Sequence, residues 1–154
     1  MRRIAAKLLI GVTITALGVF GADSSLGTWK FNAAKSKSTG TNPTQSRTEV
    51  FEATADGGVK VTRMGQRADG TTETDSATTK YDGKEYPTTG QAGTISLKRI
   101  DANTTIREVR LKRGPLHETI QSVISQDGKT RTDTVTGFKA PGIPVTATLV
   151  FDRQ

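Results

Sequence analysis

DGGVKVTRMGQRADGTTETDSATTKYDG, residues 56–83, carries the dipeptides Asp56-Gly57, Asp69-Gly70 and Asp82-Gly83 at intervals of thirteen residues, and Asp127-Gly128 repeats the pair later. Asp-Gly is the strongest short-range hairpin signal, because its glycine accepts the positive φ of a tight strand-to-strand turn. The segments between these turns alternate in polarity and are rich in Thr, whose β-branched side chain packs on a pleated surface and is solvated at little cost on a wet face. The stretch therefore reads as a meander of antiparallel strands.

Outward from it, the same reading yields strands at Leu26–Phe31, Ser46–Ala55, Val59–Arg67, Thr71–Tyr81, Lys84–Thr88, Thr94–Ile100, Thr104–Lys112, Leu116–Gln126, Lys129–Phe138 and Pro144–Asp152. Pro87 removes a ladder donor and confines its strand to an edge. Asp101-Ala102-Asn103, Arg113-Gly114-Pro115 and Ala140-Pro141-Gly142 supply the remaining turns. The long irregular connection is Asn32 to Gln45. Short connections pair sequence neighbours, so an all-β, antiparallel up-and-down meander of roughly eight to ten strands is expected to close into a barrel and remove its edges. A two-sheet sandwich is the other architecture.

The amino terminus has a different character. Arg2, Arg3 and Lys7 precede an apolar stretch from Leu8 to Phe20, followed by the small residues Gly21 and Ala22. This is the pattern of a secretory signal peptide over residues 1–22, too short for the ~20 apolar residues of a bilayer-spanning helix, with an uncleaved signal anchor as the other reading. Cleavage after Gly21 or after Ala22 fits, and leaves one domain, 23–154, in the periplasm or outside the cell. The three leader charges account for part of the +7 of the whole chain and leave a net +4. That excess is a solubility feature more than a binding one. The basic residues are scattered and aromatics are few, so nucleic acid is not an expected partner. Weak contact with an anionic envelope surface is.

The chain has no cysteine, so about 130 residues must hold one core without disulfides. Alternation places Val59, Val61 and Arg63 on one strand face, Ile95, Leu97 and Arg99 on another, then Leu116, Glu118 and Ile120, and finally Val145, Ala147, Leu149 and Phe151. Inward Arg63, Arg99 and Glu118 would mark a salt-bridge network or a polar ligand site, because burying an unpaired charge is costly. The simpler reading has Arg63 and Arg99 snorkelling to water near strand ends. Tyr81 adds a hydroxyl to the cavity or sits in the core with a wet tip.

Catalytic signals are weak. His117 is the one histidine, shares a strand face with Thr119 and Gln121, and reads as solvated. No nucleophile motif, metal-ligand spacing or phosphate-binding glycine loop occurs, so no enzyme activity, metal or cofactor is expected.

Leu26-Gly27-Thr28-Trp29-Lys30 resembles the Gly-x-Trp opening of the calycin superfamily, the lipocalins and intracellular fatty-acid-binding proteins, in which the Trp plugs the closed end of the barrel. Ala147–Arg153 resembles the last strand of the fatty-acid-binding branch, and Gln126-Asp127-Gly128-Lys129 a late hairpin there. Lys35-Ser36-Lys37 after the opening is similar to uncharacterised secreted bacterial lipocalin-like proteins. The resemblance implies a calycin-like barrel, with Gly27 and Trp29 as structural residues and Arg153 either stacked on Trp29 or solvated. Two departures stand out. Leu149 and Phe151 occupy the places of the Arg and Tyr that clamp a ligand carboxylate in that branch, and Asn32–Gln45 is too short and too rich in Gly, Thr and Pro for a helical lid.

The expected function is that of an exported monomer holding a small apolar or amphiphilic ligand in its lumen. Phe51, Val61, Leu97, Leu111, Ile120, Leu149 and Phe151 would form the wall, with Arg63, Arg99 or Tyr81 at a head group. A barrel plugged by Phe51, Tyr81, Leu97 and Phe151 would instead point to an envelope interaction module. A membrane-spanning barrel would need an outward apolar band with aromatic girdles, which these strands lack.

Overall fold

The computed structural model describes residues 23–90, 92–112, 117–140 and 143–154, with backbone alone at Ala92, Leu111, Lys139 and Ala140. The leader 1–22 lies outside the described residues. Eleven strands occur among those described: β1 (Gly27–Phe31), β2 (Lys37–Ser38), β3 (Thr44–Ala53), β4 (Val59–Arg67), β5 (Thr72–Thr79) and β6 (Asp82–Pro87), then β7 (Ala92–Arg99), β8 (Thr104–Leu111), β9 (His117–Ile124), β10 (Thr130–Ala140) and β11 (Ile143–Arg153). All ladders are antiparallel, in the order β5-β4-β3-β1-β11-β10-β9-β8-β7-β6, with β2 added to β11. Neighbours in sequence are neighbours in space, and the pairing of β1 with β11 joins the chain ends. The result is the expected meander, curled into a nearly closed barrel.

The Asp-Gly turns form for the reason their composition suggests. Gly57, Gly70, Gly83 and Gly128 all have positive φ, between 69° and 84°. In three of the four, the Asp Oδ1 accepts the N–H two residues on: Thr71 N to Asp69 at 2.9 Å, Lys84 N to Asp82 at 3.0 Å and Lys129 N to Asp127 at 3.0 Å. The side chain thus closes the turn that the glycine permits.

Two features depart from the sequence reading. The Asn32–Gln45 connection holds a single 3-10 turn, Ala33–Lys35, and the short β2, which pairs Ser38 with Ala147 and Lys37 with Thr148. Second, the turn at Asp82-Gly83 does not make a hairpin ladder. Between β5 and β6 the sheet is joined by one bridge, Ser76 to Thr89. Thr88 donates to Gly93 O on the β7 side at 3.2 Å, so the alternating backbone turns the preceding residue, Pro87, toward β5 with no donor to offer. Beyond it Thr89 latches the seam: its N–H reaches Ser76 O at 2.9 Å, and its hydroxyl accepts Ser76 N–H at 3.1 Å. Gly90 permits the latch, since a Cβ there would lie 2.3 Å from Thr74 O.

The apolar core runs from the end of the barrel where β1 begins to Val61, Ile120 and Leu149. Trp29, Val59 and Phe151 are fully buried, with Phe51, Leu97 and Ile124 packed around them. Gly27 is fixed by this packing, because its φ is +118° and a Cβ would sit 2.8 Å from Arg153 Nη1. That nitrogen donates to Leu26 O at 2.6 Å. A Gly27→Ala variant is expected to lose about 1–3 kcal/mol through backbone strain and displacement of Arg153, read as a lower urea midpoint.

Candidate functional site

Strand alternation and register stack three layers inside the barrel. At the closed end, Trp29 donates its indole N–H to Ser25 O at 2.9 Å and is flanked by two cations. Arg153 lies 4.3 Å from the ring centroid on one approach and Arg131 5.5 Å on another. Arg153 also donates to Gly128 O and to the Ser24 carbonyl, so the expected stacking occurs and the residue is a clasp between the chain ends. Beside it, Tyr81 donates to Asp23 Oδ2 at 2.8 Å and meets Ser25 Oγ at 2.7 Å, while Arg99 pairs with Asp23 and covers the Tyr81 ring at 4.0 Å. Burial pushes the Asp23 carboxyl up, but hydrogen bonds from Ser25 and Arg99 outweigh it and hold the group below its ordinary range.

The middle layer is charged. Along β3 alternation sends Arg47, Glu49 and Phe51 inward, and register sets Glu49 opposite Arg63, which in turn faces Asp75. Glu49 is fully buried and accepts from Arg131 at 2.7 Å, with Arg107 at 3.4 Å. Arg131 also pairs with Asp133 at 2.9 Å and lies 4.2 Å from the Phe151 ring centroid. Burial raises the Glu49 carboxyl, and Arg107 and Arg131 more than reverse this, so it stays ionised far below the usual carboxylate range. A second set runs from Arg47 to Glu73 at 3.2 Å and from Glu73 to Arg67 at 2.6 Å. Gly65 lies opposite both Arg47 and Glu73, and a Cβ there would be 2.6 Å from Ser46 O.

Toward the open end the side chains leave two hollows. One, a cavity of about 40 Å³, opens at the β5–β6 seam and is lined by Val61, Ala77, Ile95 and Val109 together with Arg63 and Arg107. The other, a cavity of about 60 Å³, lies at the mouth against Arg47, Arg63, Arg67 and Arg107, with Ile120 and Leu149 among its apolar lining. Arg63 and Arg107 form the wall common to both.

The expected wall residues divide between these layers. Val61, Ile120 and Leu149 belong to the buried cluster and also line the hollows with Arg63, whereas Phe51, Leu97 and Phe151 belong to the cluster alone. Tyr81 and Arg99 sit together at the opposite, closed end, away from Arg63. The Leu111 side chain lies outside the described residues. Snorkelling does not account for Arg63 or Arg99: the Arg63 side chain is only 18% exposed and pairs with Asp75, and Arg99 turns to Asp23. Barrel closure brings carboxylates within reach, and pairing replaces hydration. Arg47, Glu49, Glu73, Arg107, Arg131 and Asp133 went unremarked in sequence. Their signal was present in the period of two, because Arg47 and Glu49 alternate in phase with Phe51, and Arg131 and Asp133 in phase with Val135.

No protein-family model matches the chain, and no curated protein matches it. Among solved structures it is similar to EF1p2_mFAP2b bound to DFHBI, with a TM-score of 0.50 and 12% identity over 86% of this chain and 96% of that one. It is also similar to the S-type phycobiliprotein lyase CPES from Guillardia theta, with a TM-score of 0.57 and 7% identity over 85% of this chain and 89% of that one. At such identities the likeness is one of fold, and the fold is a calycin-like barrel.

Proposed function

We propose that this protein binds a small amphiphilic molecule in the open half of its barrel, as an exported monomer whose leader 1–22 is removed. The observation that carries the reading is the pair of hollows sharing the Arg63–Arg107 wall, one apolar at the seam and one charged at the mouth. An elongated ligand with an apolar body and a polar end suits that arrangement, since apolar walls with a few placed polar groups make small-molecule sites. The neighbour solved with DFHBI supports it by analogy, as a barrel of this fold that holds a small molecule. The activity proposed is binding without chemistry.

One observation favours the envelope-module reading instead, namely that Phe51, Leu97 and Phe151 pack in one buried cluster with Val61, Ile120 and Leu149, so side chains fill much of the barrel. Native mass spectrometry of protein purified from its own envelope separates the two. A carrier is expected to show an adduct of small-molecule mass on a polypeptide beginning at Ala22 or Asp23. Apo protein alone, together with failure to displace an environment-sensitive fluorescent lipid, would leave the module reading.

A further inference from the structure

The mouth hollow holds more guanidinium than its carboxylates use. Arg47 on β3, Arg63 and Arg67 on β4 and Arg107 on β8 line it, with Asp133 and Glu118 as the acidic lining. Each arginine offers five donors. Arg47 spends one nitrogen, Nη2, on Glu73 and Thr44, both at 3.2 Å. Arg63 spends Nη2 on Asp75, and Arg107 reaches Glu49 only at 3.4 Å and Asp133 at 3.7 Å. Among the described residues, the Nε–H groups of Arg47, Arg63 and Arg107 are shielded from solvent without a hydrogen-bond partner. Arg47 and Arg107 are only 9% and 6% exposed. A buried donor left unpaired is destabilising by about 1–3 kcal/mol, and three of them belong to side chains that line this one hollow, which leaves them in want of an acceptor. Burial first, and then the like charge of Arg63, bring the Arg47 guanidinium below its ordinary pKa despite Glu49 and Glu73, whereas at Arg63 the carboxylates of Asp75, Glu49 and Glu73 outweigh burial and raise it.

We propose that this hollow is a subsite for a tetrahedral oxyanion, a phosphate or sulfate ester head group, held by Arg47, Arg63 and Arg107 with Arg67 at the rim. The proposal rests on the lumenal-binding reading and names the head group it takes. A planar carboxylate presents two oxygens to one fork, whereas guanidinium groups converging from three strands suit an oxyanion with oxygens in three directions. The apolar body then lies toward Val61, Ala77, Ile95 and Val109.

The test titrates the mature protein with dodecyl phosphate, dodecyl sulfate, dodecanoate and dodecanol, all below micelle formation, by calorimetry. Nitrogen–proton correlation spectra follow the arginine Nε–Hε signals during addition of inorganic phosphate at constant ionic strength. The phosphate and sulfate esters are expected to bind at least about tenfold tighter than dodecanoate or dodecanol, roughly 1.4 kcal/mol, and inorganic phosphate to shift the Nε–Hε signals of Arg47, Arg63 and Arg107. Arg47→Gln is expected to remove that preference, so that dodecyl phosphate and dodecanol bind the variant alike. Arg67→Gln, at the half-buried rim, is expected to weaken the esters more than dodecanol, and serves if the Arg47 variant does not fold. Equal binding of dodecanol and dodecyl phosphate, or of dodecanoate and dodecyl phosphate, with unmoved Nε–Hε signals, overturns the subsite and leaves lumenal binding standing. Failure of all four to bind overturns both.

Discussion

An Arg131→Met variant is expected to lose about 3–5 kcal/mol of folding stability, the range for breaking a buried ion pair by removing one partner. Arg131 is 2% exposed, holds Glu49 at 2.7 Å and Asp133 at 2.9 Å, and lies over Phe151. Methionine occupies much of the same volume but leaves Glu49 with Arg107 at 3.4 Å as its nearest cation, and Asp133 with the same arginine at 3.7 Å. Two carboxylates would then share one guanidinium in a space closed to water. Adding Glu49→Leu to the variant is expected to restore part of the loss, because the second change removes the stranded charge. The coupling read from urea unfolding of the four proteins should fall within about 1–3 kcal/mol. An Arg131→Met protein as stable as the parent would mean that burying these charges offsets all they gain from one another.

Acid is expected to unfold the barrel by the same route. Glu49, Glu73 and Asp23 have folded-state pKa values below those of the unfolded chain. For each, burial acts first and in the opposite direction. It is outweighed by Arg107 and Arg131 at Glu49, by Arg47, Arg63 and Arg67 at Glu73, and by hydrogen bonds from Ser25 and Arg99 at Asp23. As pH falls, the unfolded chain therefore takes up protons first, and stability drains away. The contribution is complete above about pH 5 and decreases through the acid range, with each unit of depression at a buried group amounting to about 1.4 kcal/mol. Urea midpoints measured from pH 7 downward should be flat to about pH 5 and then fall. In the Glu49→Gln protein the fall should be shallower, from a lower starting value. A midpoint that does not change between neutral and strongly acidic pH would contradict the assignment.

The frame of the molecule was legible because its signals are local. The Asp-Gly pairs state where the chain reverses, Thr-rich alternation states what lies between, and the Gly27–Trp29 opening implies the closed end. All ten expected strands are present within a few residues of their expected bounds. Pro87 was legible as an edge, and it lies on the β5–β6 seam, where one bridge occurs among the described residues. The candidate site was only partly legible. Val61, Ile120 and Leu149 reach the hollows from the buried cluster, whereas Phe51, Leu97 and Phe151 share their side and their cluster but line neither hollow. Alternation tells which face a residue takes and says nothing of its depth along the barrel axis, which separates a wall from a plug.

By itself, the sequence determined the strands, their turns and their antiparallel order, since those follow from φ preferences, β-branching and a period of two acting over a few residues. Tertiary structure alone decided which charges meet. Glu49 and Arg131 stand 82 positions apart and come within 2.7 Å only when β1 joins β3 to β11 and the sheet curls closed. Ion pairing depends on distance and on exclusion of water, and both are properties of the closed barrel. The arginine-lined mouth, with donors that no described residue accepts, exists for the same reason.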